Sequence, residues 1–527
     1  MRYLVSRLTP LLATLALLMG TPVQAKPLIY CAEASPEGFD PGLWDSAGTN
    51  NVNRQLFQGL LGFKRGGTEL EAKLASSWQI SKDAKVYTFT LRRGVHFHRT
   101  PWFTPTRDFN ADDVLFTFGR LTQAQHPYNQ AFPATFVLPQ NMGLGDMLAA
   151  IDKLDDHTVR FTLKQPNVAF LPYFAMVFAG MQSAEYGAQL LREGQASRIN
   201  NYPIGTGPYR FVSYKKDEAV RLEANPDYWG RKQQTDKLIF LISPDANVRV
   251  QKLFAGECQI TAPVRDNDLQ AIAARKDLLL MKTQALNISY LAYNMKRGPT
   301  AKREVREALD IALDRNAIFK ALFPRGDALQ AVSAFPPGIP GYNRKLKNEY
   351  DPARAKRLLA QAGYPNGFEL SLWALPIVRP TNPNGQLLAQ MIQQDWAKVG
   401  VTAKIKTYEW GEYLRRANNG EHDVYMSGWS GETGDADEFL TPNLTCAASP
   451  AGYKFCNAEF DHLVGEARGM TDTPRRLQHY EKAQAIFKRE RPWITLAHST
   501  VYIPMKQDVK GFAMAPNGGV DFENVYR

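Results

Sequence analysis

The chain has 527 residues, 44% of them hydrophobic, and a formal net charge of +11. That length implies two to four domains of roughly 100–200 residues each, with ample material for large cores. No Lys/Arg block concentrates the charge, which argues against a nucleic-acid surface.

Residues 1–25 read as a secretory leader rather than as part of the fold. Arg2 and Arg7 form a positive start, LLATLALLM (11–19) is an apolar run too short to span a bilayer, and VQA (23–25) offers a cleavage site before Lys26. Bulky Tyr30 before Cys31 argues against lipidation there, and no later run approaches the length of a membrane span, so the mature protein is expected to be soluble and exported. Cleavage would remove two arginines and no acids, leaving a charge of +9. Export implies an oxidising compartment for the four cysteines. Cys446 and Cys456 are close enough to staple one local loop, and Cys31 with Cys258 would then form a long-range bond; four free thiols are the alternative. Neither pair shows zinc spacing with histidine.

Short strands come first. VYTFTL (86–91) and TVRFTL (158–163) alternate with period two, and LIFLI (238–242) reads as a buried strand. After about residue 285 the pattern changes. YLAYNM is strand-like, and VREALDIAL carries Val305, Ala308, Leu309, Ala312 and Leu313 at helical spacing. Asp351-Pro352 caps a helix running to Gly363. FELSLWAL is a strand, LLAQMIQQDWAKV a helix, VTAKIKTY a strand, and 423–428 another strand. This β-α-β-α order predicts a parallel α/β domain, in which ligands bind in loops beyond the carboxyl ends of strands. Residues 375–384 and 429–435 lie in such loops.

The second of these loops stands out. In GWSGETGDADEFL (428–440), Trp429 precedes Glu432, Asp435, Asp437 and Glu438, with no Lys or Arg among them. It lacks the alternating oxygen ligands and central glycine of a calcium loop, so a metal site is not expected. The acids either meet a positively charged ligand group or form a solvated turn. Asp435 and Asp437 read as caps of the turn and the following helix. PIGTGPY (203–209) leads into the strand YRFVSY and not into a helix N-terminus, which makes it a tight structural turn and not a phosphate loop. His96 and His98 share a strand face without a catalytic Glu, and read as surface or packing histidines. No nucleophile elbow or catalytic triad can be assembled.

Several stretches together carry a resemblance. They are LASSWQISKDAKVYTFTLRRGVHFHRTPWFTPTRDFNADDVLFTF (74–118), NYPIGTGPYRF (201–211), PDYWG (226–230), VREALDIALDR (305–315), QQDWAKVGV (393–401) and YEWGEYLRRANNGEHDVYMSGW (408–429). They are collinear over 28–527, and the chain resembles the extracytoplasmic solute-binding proteins of the peptide/nickel type, family 5, in particular their dipeptide-binding members. The resemblance implies an α/β two-lobed periplasmic-binding-protein clamshell. Lobe I would hold 26–285, with an extra subdomain at about 57–205. Lobe II would hold 286–501, and 502–527 would return to lobe I. It also implies the disulfides Cys31–Cys258 and Cys446–Cys456.

The family's ligand-anchoring residues carry over position by position. The arginine that fixes a ligand carboxylate matches Arg379 in VRPTNPN, whose fork can grip a carboxylate with two bonds. The acid that fixes the ligand's α-ammonium matches Glu432, where the family has Asp, so the carboxylate sits one methylene further out. Trp429, Gly431 and Trp410 would wall the pocket. Asp45, Ser46, Gly48 and Thr49 align, across a one-residue gap, with a polar loop of lobe I that pairs with the ligand backbone. The implied function is the non-enzymatic, monomeric periplasmic component of an ABC importer, taking short peptides to an inner-membrane permease, with no cofactor and no metal. The same fold with other cargo (longer peptides, haem or an antimicrobial peptide) is the alternative, and an exported hydrolase a remote one. WFTPTR (102–107) also resembles a relative linked to antimicrobial-peptide sensitivity.

Overall fold

The structure is a computed structural model that describes residues 26–326, 328–447 and 453–527. The expected leader over 1–25 lies outside the described residues. Among the described residues a twelve-stranded sheet runs through the molecule. Its order is Val401–Lys406, Phe368–Trp373, Val424–Ser430, Asn287–Tyr293, Trp493–Lys506, Ile260–Thr261, Leu28–Ala32, Lys237–Ile242, Ala219–Ala224 and Tyr209–Lys215. Leu278–Gln284 and Ala328–Gln330 also pair with Trp493–Lys506.

That long strand belongs to both halves. Up to Ser499 it pairs with Asn287–Tyr293 and Ala328–Gln330, and from Thr500 it pairs with Leu278–Gln284. The chain therefore crosses between halves twice, side by side, at 285–286 and 499–500. Ala285 N donates to Ser499 O at 3.0 Å between the crossings. Two adjacent extended strands offer few packed side chains to resist bending, which suits a hinge.

The second half corrects one expectation. Phe368–Trp373 is parallel to Val401–Lys406 and to Val424–Ser430, but Asn287–Tyr293 and Trp493–Lys506 are antiparallel to their neighbours. The sheet is mixed. The helix Gly385–Ala397 provides the crossover that parallel neighbours need, while the strand that leaves this half must run against the one that enters it. Beneath it lies a core around Leu291, Leu309, Leu372, Trp396 and Phe439.

Among the described residues the first half has, beside a small core in which Val250, Leu253 and Ile272 pack on Cys31 and Cys258, two large ones. One joins the base strands to the C-terminal segment, with Tyr30, Phe240 and Phe522 in mutual edge contact at 5.5–5.6 Å. The other belongs to a separate four-stranded antiparallel sheet, Ala75–Ile80, Val86–Leu91, Thr158–Leu163 and Leu148–Asp155. There Phe89, Phe118, Phe161 and Phe174 interlock. Arg120 Nη2 donates to Asp40 Oδ2 at 2.8 Å where both side chains are buried, tying the subdomain to the base. The PIGTGPY turn is structural: a Cβ on Gly205 would lie 2.0 Å from Leu56 O, and one on Gly207 2.3 Å from Gln55 O. His98 is buried against it, with Nε2 3.1 Å from Gly207 O.

Both cysteine pairs form disulfides, Cys31–Cys258 with Cα atoms 5.8 Å apart and Cys446–Cys456 at 4.2 Å. Among the described residues no helix is long and apolar enough to cross a membrane, and no His, Cys, Asp and Glu group could hold a metal ion.

Candidate ligand cleft

The acidic loop leaves the end of strand Val424–Ser430 and is clasped between the halves. Gly431 N donates to Leu286 O at 2.6 Å beside the first crossing. Gly431 is tightly packed, since a Cβ there would lie 2.6 Å from the Phe439 ring. Asn517 Nδ2 of the C-terminal segment donates to Glu432 O at 3.4 Å. Gly434, with φ +70°, leaves room for Thr68 of lobe I; a Cβ would sit 2.4 Å from its hydroxyl.

The loop's acids have divided roles. Glu438 organises it, accepting from Glu432 N at 2.8 Å, Thr433 N at 3.0 Å and Thr433 Oγ1 at 2.8 Å. Asp435 takes both Nη atoms of Arg476 at 2.8 Å and accepts from Asp437 N at 2.9 Å, so it caps the turn as expected. Asp437 is not a cap. It begins the helix Asp437–Leu444, accepts from Thr441 Oγ1 at 2.6 Å and lies 3.3 Å from Arg468 Nε.

Glu432 is the acid whose side chain has neither a hydrogen bond nor an ion pair among the described residues. It lines a narrow cavity with Asp45, Trp44, Asn50 and Arg54 of lobe I. Burial pushes its pKa up to about 7; Arg54 opposes that rise, while Glu438 and Asp45 add to it. Burial likewise pushes Glu438 up to about 7, against the hydrogen bonds from Thr433 and Glu432. A carboxyl in this state lacks a cation near enough to keep it ionised, and a ligand ammonium would supply one.

Arg379 lies on the other predicted loop. It is exposed, and no described carboxylate lies within ion-pair distance of it. A short bridge with Asn382 holds its backbone, at 3.1 Å and 2.9 Å, and its guanidinium carbon is 5.7 Å from the Trp410 ring centre. Ser289 Oγ donates to Thr381 O at 2.8 Å and Asn382 Nδ2 to Met426 Sδ at 3.5 Å, so this loop is fastened to the strands that deliver Glu432. Trp410 is half-buried and stacks on Tyr413. Trp429 packs on the lobe II core, and its buried Nε1 has no partner.

The lobe I quartet is divided. Asp45 faces Glu432, but the others serve the start of helix Ala47–Leu56. Ser46 Oγ accepts from Thr49 N at 3.3 Å and donates to Glu37 Oε2 at 2.5 Å. Thr49 is buried, donates to Glu37 Oε2 at 2.7 Å and accepts from Glu37 N at 3.1 Å. Gly48 is buried against Ala34 O. The side chains of Ser46 and Thr49 are therefore committed within lobe I. Arg54, one helix turn further on, went unrecognised in the sequence, and so did Glu438 as the loop's organiser.

Comparison with known proteins agrees with this architecture. The profile of the bacterial extracellular solute-binding proteins, family 5 Middle, matches residues 69–451. The chain belongs to this family. It is 46% identical to Di/tripeptide-binding protein 1 of Pseudomonas aeruginosa (strain UCBPP-PA14), over 99% of this chain and 98% of that one. It is 40% identical to Heme-binding protein A of Haemophilus influenzae, over 93% and 90%. Among solved structures, HbpA2 from Haemophilus parasuis superposes with a TM-score of 0.91 at 38% identity, covering 95% of this chain and 99% of that one. The dipeptide-binding protein from Pseudoalteromonas sp. SM9913 in complex with Met-Leu gives 0.77 at 37% identity, covering 95% and 100%. Identity and coverage are nearly equal, so the gap between the two scores is one of shape and not of divergence. The two-lobed fold is common to all of them.

Proposed function

We propose that this chain is the periplasmic substrate-binding component of an ABC peptide importer, and that it captures short peptides, dipeptides foremost, between its lobes. Glu432 takes the ligand's α-ammonium and Arg379 its carboxylate. The observation that carries the reading is this pair of uncommitted opposite charges on two loops fastened to the same strands. Each is worth roughly 1.5–3 kcal/mol as a charged hydrogen bond once the cleft excludes water. Two anchors at opposite ends measure ligand length, and backbone contacts between them ignore side-chain identity. Contacts to both lobes then favour the closed form, which a membrane permease would receive. In this reading the protein is monomeric, performs no chemistry on its cargo, and is freed of its leader before Lys26.

Calorimetric titration of ligand-stripped protein tests the reading. The panel holds a free amino acid, di-, tri- and tetrapeptides, an N-acetylated dipeptide, a C-amidated dipeptide and haem. Tight dipeptide binding lost on either modification supports both anchors. The similarity to Heme-binding protein A makes haem the competing cargo, and haem binding without dipeptide binding would replace the peptide reading.

A further inference from the structure

The cleft does not end at Glu432. The cavity that Glu432 lines shares Arg54, Phe63, Met176, Val177 and Asn517 with a second, larger cavity of about 110 Å³ running into lobe I. Four cations and two acids line that second space: Arg54, Lys64, Arg65 and Lys73 against Asp521 and Glu523. Much of this charge is committed. Lys64 pairs with Glu69 at 2.7 Å, and Lys73 pairs with Glu71 at 2.9 Å and Glu523 at 3.1 Å. Arg65 gives a hydrogen bond to Gly511 O. Arg54 is different. It is half-buried, its Nε is enclosed without a partner, and no described carboxylate lies within ion-pair distance of its guanidinium. Glu432 and Asp521 are the acids near enough to act on it, neither in contact. Its neighbour Asn53 is wholly buried, and both its amide atoms also lack partners. Gly519 leaves the room that Arg54 occupies, because a Cβ there would lie 2.5 Å from Arg54 Nε.

An arginine whose Nε is enclosed and whose guanidinium has no acid in contact is free to take a partner that arrives from outside. The position of Arg54 says what the partner is. In an α-amino acid the side chain starts two bonds from the ammonium nitrogen. A ligand held by its ammonium at Glu432 therefore starts its first side chain at the mouth shared by the two cavities, beside Arg54.

We propose that this inner cavity is the subsite for the side chain of the ligand's amino-terminal residue, that it prefers a carboxylate there, and that Arg54 sets the preference. The inference rests on the peptide reading above and narrows it to peptides beginning with Glu or Asp. Asp521 and Glu523 oppose such a group, but Glu523 is held by Lys73 and by Tyr228 Oη at 3.0 Å. The guanidinium can offer a carboxylate two parallel bonds, which a neutral amide cannot match.

The test is calorimetry on the ligand-stripped protein at pH 7.5 with isosteric pairs. Glu-Ala is compared with Gln-Ala, and Ala-Glu with Ala-Gln as the positional control. Glu-Ala is expected to bind about tenfold more tightly than Gln-Ala, with no such gap in the control pair. Arg54→Gln should close the gap by weakening Glu-Ala, and Arg54→Lys should keep part of it. The wild-type comparison stands even if a variant fails to fold, which melting curves will reveal. Equal or inverted affinities for Glu-Ala and Gln-Ala, or a gap that survives in folded Arg54→Gln, would overturn the subsite while leaving the peptide reading intact. Failure of all four dipeptides to bind would overturn the peptide reading, and the subsite with it.

Discussion

With the ligand ammonium assigned to Glu432, as proposed, peptide capture should depend on pH in a direction set by the burial of that acid. In the empty cleft burial holds its pKa at about 7, against an ordinary value of 4.5. A bound ammonium requires the ionised form, so ligand binding must expel any proton there. If the ligand restores the ordinary value, linkage gives an affinity that falls about fifteenfold between pH 7.0 and 5.5. A peptide's own amino group, with a pKa of about 7.7–8.0, stays protonated over that window and does not contribute. Stability runs the other way. A carboxyl whose folded pKa lies above its unfolded value contributes stability that is complete below the unfolded value and lost as pH rises through the folded one. Glu432 and Glu438 both meet that description. Burial holds His98, His422 and His498 at about 4, which works in the opposite direction over the same window. The readout is therefore the difference between variants: wild type should gain stability relative to Glu432→Gln as pH falls from 8 to 5.5, while it binds peptide less well. Glu432→Gln should weaken binding at pH 7 by roughly 10- to 150-fold, the loss of one charged hydrogen bond, and should remove most of the pH slope. Glu438 leaves a residual slope, which Glu438→Gln isolates through the loop it organises. Calorimetry and melting curves from pH 5.5 to 8 provide both readouts. A flat wild-type binding profile, or an unchanged slope in Glu432→Gln, would refute the assignment of the ammonium to this acid.

Other expectations follow from particular contacts. Arg379→Met should weaken peptides with a free carboxylate by roughly 10- to 150-fold, leave C-amidated peptides untouched in calorimetry, and leave the melting temperature unchanged, because the side chain is exposed and has no acid partner. Cys258→Ser should cost more stability than Cys456→Ser in denaturant titration, because the bonds join residues separated by 227 and 10 positions. Loop entropy puts the two losses at roughly 5 and roughly 3 kcal/mol. Gly205→Ala should cost several kcal/mol in the same assay, since its Cβ would overlap Leu56 O.

How far the sequence revealed this molecule depends on how local each signal was. Alternation marked Val86–Leu91 and Thr158–Leu163, and an Asp-Pro start marked the helix Pro352–Gln361, because each pattern is set by the element's own residues. Strand direction was not local. The order β-α-β-α suggested a parallel sheet, but Trp493–Lys506 must carry the chain out of one half and into the other, and that requirement belongs to the whole topology. The site divides in the same way. Glu432 was legible as an anomaly, an acidic run in a basic chain, and Arg379 through its motif. The motif match singled out Glu432 from the run, but that this acid is the one left without a partner was not legible. Glu432 and Glu438 are the same residue type six positions apart, and only the folded loop shows that Glu438 is spent on two backbone N–H groups while Glu432 is not. Arg54 left no sequence signal at all, since an arginine near the end of an amphipathic helix is ordinary there. Its meaning comes from Glu432, Gly519 and Asn517, which reach it from 378, 465 and 463 positions away. A site assembled from segments on both sides of the two chain crossings draws its charges from distant parts of the chain. Only the folded chain shows that the neighbouring acids Glu438 and Asp435 have partners while the Glu432 side chain has none among the described residues.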